Sequence, residues 1–201
     1  MKKILLFVLA FIALSVSVSA LNFVSDTSTK YFDGSNWQNA VAVATPVHER
    51  WTAIVAGTWI WNAQHVSADS AVNGETVTFE KTFDLGACKD GNFAGTIDIA
   101  ADNTFVLLLN GNPVGKDLTE FNYQHKSTYD LSSLLQVGTN TLSIKATNMP
   151  QSGGTPATNP AGIVFAGSAS CDNNEVPEFG VIAGAIALVG ALGIFLYRRK
   201  N

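Results

Sequence analysis

Three histidines, His48, His65 and His125, are the first side chains to test for chemistry. None stands at metal-ligand spacing from a cysteine or from another histidine. The chain has no Gly-Xaa-Ser-Xaa-Gly elbow and no glycine-rich phosphate loop. Asp98 and Asp102 have the residue type of a glycoside-cleaving carboxylate pair. The flanking pattern, however, puts Asp98 on the polar face of a strand and Asp102 at the start of a turn, so both read as structural. Asp84, Asp90 and Asp102 are the carboxylates that would hold a structural calcium ion, but no ordered Asp/Asn loop accompanies them. No catalytic residue, resident metal or cofactor is expected.

What remains suits recognition. Carbohydrate binding needs aromatic platforms together with Asn, Asp or His groups carried on loops. Trp37, His65, Tyr123, His125 and Asn148 are the candidate ligand-binding residues, with Phe121 and Asn159 beside them. Each also has a structural reading. Asn148 and Asn159 would satisfy nearby main chain, as Asn readily does. Trp59 and Trp61 would fill the core or cap one sheet.

The elements that must position these groups are strands. Gly95–Ala100 alternates Ile97 and Ile99 with polar neighbours and predicts a half-buried strand. After the turn-prone Ala101-Asp102-Asn103, Thr104–Leu109 is apolar at every position from Phe105 and predicts a central strand covered on both faces. Asn110-Gly111 tolerates the positive φ of a type I′ hairpin turn. Glu75–Phe83 places Val77, Phe79 and Phe83 on one face, with Lys81 interrupting it at a bulge or by snorkelling. Thr139–Asn148 turns Leu142, Ile144 and Ala146 inward. Asn22–Ser28, Ala40–Val47 and Ala161–Ala169 complete the strand set. Thr58–Trp61 is a short strand with Trp59 and Trp61 on one side and Ile60 on the other. Tyr31–Gln38, Ser67–Gly74, Lys116–Lys126 and Met149–Pro160 read as loops. Tyr129–Leu135 reads as an extended lead-in, an Asp130 N-cap and one helical turn closed by Gly138. Short strands with turn signals predict an all-β fold, an antiparallel β-sandwich or jelly roll.

The two ends differ from this middle. Residues 1–20 have a basic Lys2-Lys3, an apolar Ile4–Leu14 and the small-residue run Val18-Ser19-Ala20, and predict a signal peptide cut by signal peptidase after Ala20; the alternative is an uncleaved anchor. Phe179–Tyr197 is apolar or Gly throughout and is followed by Arg198-Arg199-Lys200. A membrane helix over 181–197 with a basic cytoplasmic tail over 198–201 is expected. The sandwich then occupies 21–171 and a linker 172–180. Between Leu21 and Glu175 there are 7 basic and 15 acidic residues, a net of −8. Such a domain lacks the Lys/Arg that nucleic acid or anionic lipid requires. Cys88 and Cys171 are the only cysteines, and on the exported side they are expected to form a disulfide. No Asn-Xaa-Ser/Thr acceptor occurs.

The middle of the chain resembles the galactose-binding-like jelly-roll domains. The resemblance is carried by Thr78–Phe83, by Ile97–Asn110 with Gly111, by Tyr129-Asp130-Leu131, by Gly138-Thr139-Asn140 with Ala146-Thr147-Asn148, and by Asn159-Pro160-Ala161-Gly162. It covers about Asn22–Ala169 and implies that the hairpin is scaffold and that any binding site lies on the loops it positions. Val176-Pro177-Glu178-Phe179-Gly180, the apolar span and the basic cluster resemble the PEF-type sorting signals of archaeal surface proteins. That likeness implies an archaeosortase-like transpeptidase as partner, removal of the span and a lipid on the new C-terminus; an unprocessed tail anchor is the alternative. The expected function is that of an exported, surface-anchored, non-enzymatic domain that binds carbohydrate or another envelope component such as a surface-layer protein. A structural or adhesive spacer without a sugar site and a glycan-active enzyme are the rival readings.

Overall fold

The computed structural model describes residues 20–45, 47–65, 74–86, 92–155 and 158–171. Among them are twelve strands in two six-stranded sheets, and every pairing is antiparallel. The first sheet holds β1 (Leu21–Val24), β4 (Val41–Ala42), β5 (Ile60–Trp61), β7 (Phe93–Asp102), β10 (Ser127–Asp130) and β12 (Gly162–Cys171). Its order is β10-β7-β12-β5-β4, with β1 also on β12. The second holds β2 (Lys30–Phe32), β3 (Trp37–Asn39), β6 (Glu75–Asp84), β8 (Thr104–Leu109), β9 (Asn112–Asp117) and β11 (Thr139–Asn148), in the order β3-β2-β6-β11-β8-β9. The predicted all-β antiparallel sandwich is present. The signal peptide, the 172–180 linker with its sorting motif and the membrane helix lie outside the described residues. Among the described residues no helix is long and apolar enough to cross a membrane.

The core lies between the sheets and follows from strand alternation. Ile97, Ile99, Ala101, Ile163 and Phe165 from the first sheet meet Val77, Phe79, Phe105, Leu107, Leu142, Ile144 and Ala146 from the second. β11 has the predicted bounds and the predicted inward set. The Asn110-Gly111 turn joins β8 to β9 with φ of 52° and 77°, both positive as a type I′ turn requires. Of the two expectations for Lys81, the snorkelling one holds. Its register with β11 is unbroken, and its Nζ donates to Asp26 Oδ1 at 2.8 Å and to Ser28 Oγ at 2.6 Å.

Five expectations change. Tyr31–Gln38 is not a loop: β2 and β3 pair there as a short edge hairpin, with Asp33 Oδ1 accepting from the Ser35 and Asn36 amides in its turn. The strand expected over Ala40–Val47 shrinks to β4. The doubly covered strand is β7 rather than β8. Ala100, Ala101 and Asp102 at the end of β7 are all buried, whereas β8 alternates between buried and half-buried positions. The physical reason is a second apolar cluster of Trp51, Ile54, Trp59, Ala100 and Val164, which covers the outer face of the first sheet. Trp59 belongs to that outer cluster and Trp61 to the inner core, so the two do not share a side. Trp51 and Trp59 stack with centroids 4.1 Å apart. A Cβ on Gly162 would stand 2.8 Å from the Trp59 ring and 2.9 Å from the Trp51 ring, which is why β12 opens on glycine. After β10 comes a 3₁₀ turn, Ser132–Leu134. Leu131 holds its N-cap position, while Asp130 Oδ1 accepts from the Ser132 amide.

Candidate functional site

Where the chain crosses from β7 to β8 it leaves one sheet for the other, and Asp102 and Asn103 sit at that crossing. Asn103 ties the surroundings together. Its Oδ1 accepts from the Met149 amide at 2.6 Å, its Nδ2 donates to the Glu120 carbonyl at 3.1 Å, and its own amide donates to the Thr147 carbonyl. Asn159 Nδ2 donates to the Met149 carbonyl. The Thr52 amide donates to the Tyr123 carbonyl at 2.7 Å, joining the 47–59 segment to the 3₁₀ turn Asn122–Gln124. Between these segments is a cavity of about 260 Å³, lined among others by His48, Asp102, Glu120, Tyr123, Gln151 and Asn159.

Asp102 is the unusual member. It is 4% exposed. The Trp51 indole donates to its Oδ2 at 2.7 Å. That is its one side-chain bond among the described residues, which leaves Oδ1 open, and Asp102 still lines the cavity. Burial pushes its carboxyl up to about 7, against the opposing pull of the Trp51 bond. A carboxyl group in that range exchanges its proton near neutrality and presents either an acceptor or a donor to whatever fills the cavity.

The residues expected to bind ligand are dispersed. Tyr123 lines the cavity. His125, two positions on, is exposed and turns its Nε2 to Asp117 Oδ2 at 3.3 Å. Burial pushes Asp117 up, but hydrogen bonds from Thr119 and His125 hold it below the usual carboxylate value. Trp37 is on β3 at the edge of the second sheet rather than in a polar loop, and its exposed ring lies 5.4 Å from that of Phe32. His65 is exposed beyond β5. Asn148 is fully buried at the end of β11, and neither side-chain polar atom has a partner. It therefore bonds no loop backbone, and it does not line the cavity.

Asp98 is held below the usual carboxylate value by hydrogen bonds from Lys126 and Thr128. It stands four positions before Asp102 on the same strand, roughly 13 Å of extended chain, beyond the ~5–9.5 Å that joint work on one glycosidic bond needs. Asp84 and Asp102 lie at opposite ends of the sandwich. Asp84 pairs with Thr139 at the start of β11, while Thr104, just after Asp102, pairs with Thr147 at its end. Asp90 lies outside the described residues, and among those described no group of three His, Cys, Asp or Glu could hold a metal ion. Cys171 is disulfide-bonded; Cys88, the other cysteine of the chain, lies outside the described residues.

Sequence reasoning missed His48 and the environment of Asp102. The signal was faint: a turn aspartate at the end of an apolar strand, with a Trp donor 51 positions earlier.

No protein-family model matches the chain, and no curated protein does. Solved structures do. A Streptomyces avermitilis α-L-rhamnosidase complexed with L-rhamnose is 23% identical, over 70% of this chain and 12% of that one, with a TM-score of 0.39. A Bifidobacterium dentium β-glucuronidase complexed with coumarin-3-O-glucuronide is 15% identical, over 75% of this chain and 30% of that one, with a TM-score of 0.45. A calcium binding mutant of Bacteroides uniformis β-glucuronidase 2 is 17% identical, over 75% of this chain and 18% of that one, with a TM-score of 0.46. The chain thus spans less than a third of the length of each of these enzymes. At these identities and scores the likeness assigns this chain neither an activity nor a ligand.

Proposed function

We propose that this chain is an exported, surface-anchored β-sandwich that binds a single sugar unit of a glycan in the Asp102 cavity and catalyses no reaction on it. The observation that carries the reading is the cavity itself. At about 260 Å³ it falls just under the ~300–1,000 Å³ of sites for drug-sized ligands, a size that suits one sugar ring. Its lining combines an aromatic ring, Tyr123, with a carboxyl oxygen free to accept a bond, Asp102 Oδ1. The resemblance motifs support a galactose-binding-like sandwich, since they fall on β6, β7 to the β8–β9 turn, β10, β11 and the entry to β12.

Export is supported by the N-terminal Lys2–Ala20 pattern and by the disulfide at Cys171, because such bonds persist in oxidising compartments. Anchoring is supported by the Val176–Gly180 motif with its apolar span and basic end. We propose signal peptidase and an archaeosortase-like transpeptidase as the processing partners. Mass spectrometry of the C-terminus purified from cells tests this; an intact peptide over 179–201 would sink the sorting step.

A glycan array probed with the wild-type chain and with Tyr123→Ala tests the binding. Saturable binding in the wild type that falls at least tenfold in the variant is expected. A wild type that binds no glycan would leave the rival, a structural or adhesive spacer, for which the exposed Phe32–Trp37 pair is the contact surface on offer.

A further inference from the structure

The cavity is lined by two acidic residues and by no Lys or Arg. Trp51, bonded to Oδ2, is the one side-chain partner of Asp102 among the described residues, which leaves Oδ1 open on a buried side chain. Glu120, an exposed acidic residue, also lines the cavity. Several of the donors near the lining are engaged. Asn103 gives its Nδ2 to Glu120 and Asn159 gives its Nδ2 to Met149. Thr158 Oγ1 is engaged with Thr155. His48 accepts from the Arg50 amide through Nδ1. A ligand that brings a carboxylate would meet two acidic residues and, apart from the His48 imidazole, no basic side chain. A ligand that brings a cation would satisfy the open oxygen of Asp102, gain from Glu120, and find in Tyr123 a ring whose face attracts positive charge.

We infer that the sugar unit taken by this cavity carries a free primary amine, bound as an ammonium ion against Asp102 Oδ1. The inference rests on the sugar-binding reading above and specifies its ligand class. The groups that titrate or carry charge around the site are Asp102 on β7, Glu120 and Tyr123 on the segment after β9, and His48 on the segment before Trp51. Two of the four are carboxyl groups. Burial favours the neutral form of Asp102 when the cavity is empty, and a bound ammonium reverses that preference, so uptake of the amine releases a proton from Asp102 around neutral pH. No covalent step is involved.

Isothermal titration of the full chain with D-glucosamine, D-galactosamine, N-acetyl-D-glucosamine, D-glucose and D-glucuronate tests this. At least one hexosamine should bind tenfold or more tightly than N-acetylglucosamine and glucose, and glucuronate should bind weakest. In Asp102→Asn the amine preference over glucose should fall to about one, whereas Asp98→Asn, which removes an acid outside the cavity, should keep it. Glucuronate binding as tightly as the hexosamines would overturn the inference. So would an Asp102→Asn chain that unfolds in one cooperative transition and keeps an unchanged amine preference. Binding of glucose and N-acetylglucosamine with no preference for the amine would refute the ligand class while leaving the sugar cavity standing. Failure of all five sugars would sink both.

Discussion

Asp102 makes the stability of this domain depend on pH in a direction opposite to that of most aspartates. A carboxyl group whose folded value is raised from 3.8 to about 7 keeps its proton in the native state while the unfolded chain has already lost it. Between those values the native state binds one proton more, so stability falls as pH rises. The contribution is fully present below about pH 3.8 and is gone above about pH 7. At about 1.36 kcal/mol per pH unit the loss totals roughly 4 kcal/mol, a sizeable share of the ~5–15 kcal/mol that holds a domain together. The perturbation is Asp102→Asn, which can still accept the Trp51 bond through its amide oxygen and does not titrate. Equilibrium urea unfolding of both chains, disulfide intact, at one-unit steps from pH 4 to pH 8 gives the difference in stability at each pH. That difference isolates Asp102 from the other carboxyl groups. Wild type should lose about 4 kcal/mol more than the variant across the range, most of it before pH 7. Parallel profiles would refute the burial argument, and a wild type that gains relative to the variant would show that Asp102 is held ionised.

The Trp51 bond should be visible separately: Trp51→Phe removes the one side-chain donor that Asp102 has among the described residues, so the titration midpoint of its carboxyl carbon by NMR should move above the wild-type value, and an unchanged midpoint would mean the indole does not hold it. At the β8–β9 turn, Asn110→Ala loses bonds to Leu134, Asn140 and Thr141 and leaves alanine at positive φ, so a loss of about 2–4 kcal/mol is expected by denaturant unfolding. Gly111→Ala, with open space where its Cβ would go, should lose only about 1 kcal/mol, so equal losses at the two positions would contradict this account. Gly115→Ala would place its Cβ 2.0 Å from a Tyr129 ring carbon, and a loss of about 1–3 kcal/mol with a displaced Tyr129 spectrum is the expected result.

Strands whose side chains alternate were legible from the residues alone. Thr139–Asn148 declares both its faces, and the Asn110-Gly111 pair declares its turn, because period and positive φ are local properties. The β2–β3 hairpin was not, since its three-residue strands bury little and are held by main-chain bonds that leave no apolar pattern behind. Trp59 and Trp61 misled for another reason: the strand there is only two residues long, so simple alternation has no length over which to act. The site was the least legible part. Tyr123 was picked for its type and lines the cavity, but His125 of the same segment turned to Asp117, a choice that no spacing rule expresses. The burial of Asp102 depends on the 47–59 segment folding over the first sheet, a long-range contact that the residues around Asp102 do not encode. Asn148 was picked for its amide, and the same inward alternation that made β11 easy to read seals it away.

β7 and β12 run side by side in opposite directions, with Gly162 opposite Asp102 and Cys171 opposite Phe93. The ten residues of each strand span roughly 30 Å. Cys171, the last described residue before the chain continues to its C-terminal segment, therefore stands at one pole and the Asp102 cavity at the other. Leu21 pairs with Ala169, so the N-terminal entry shares the Cys171 pole. On the C-terminal tether proposed above, the cavity would lie about 30 Å along the strands from the point where the chain leaves the domain, clear of the tether itself. A tether attached at the Asp102 pole instead would crowd the cavity, so the strand length alone separates attachment from access.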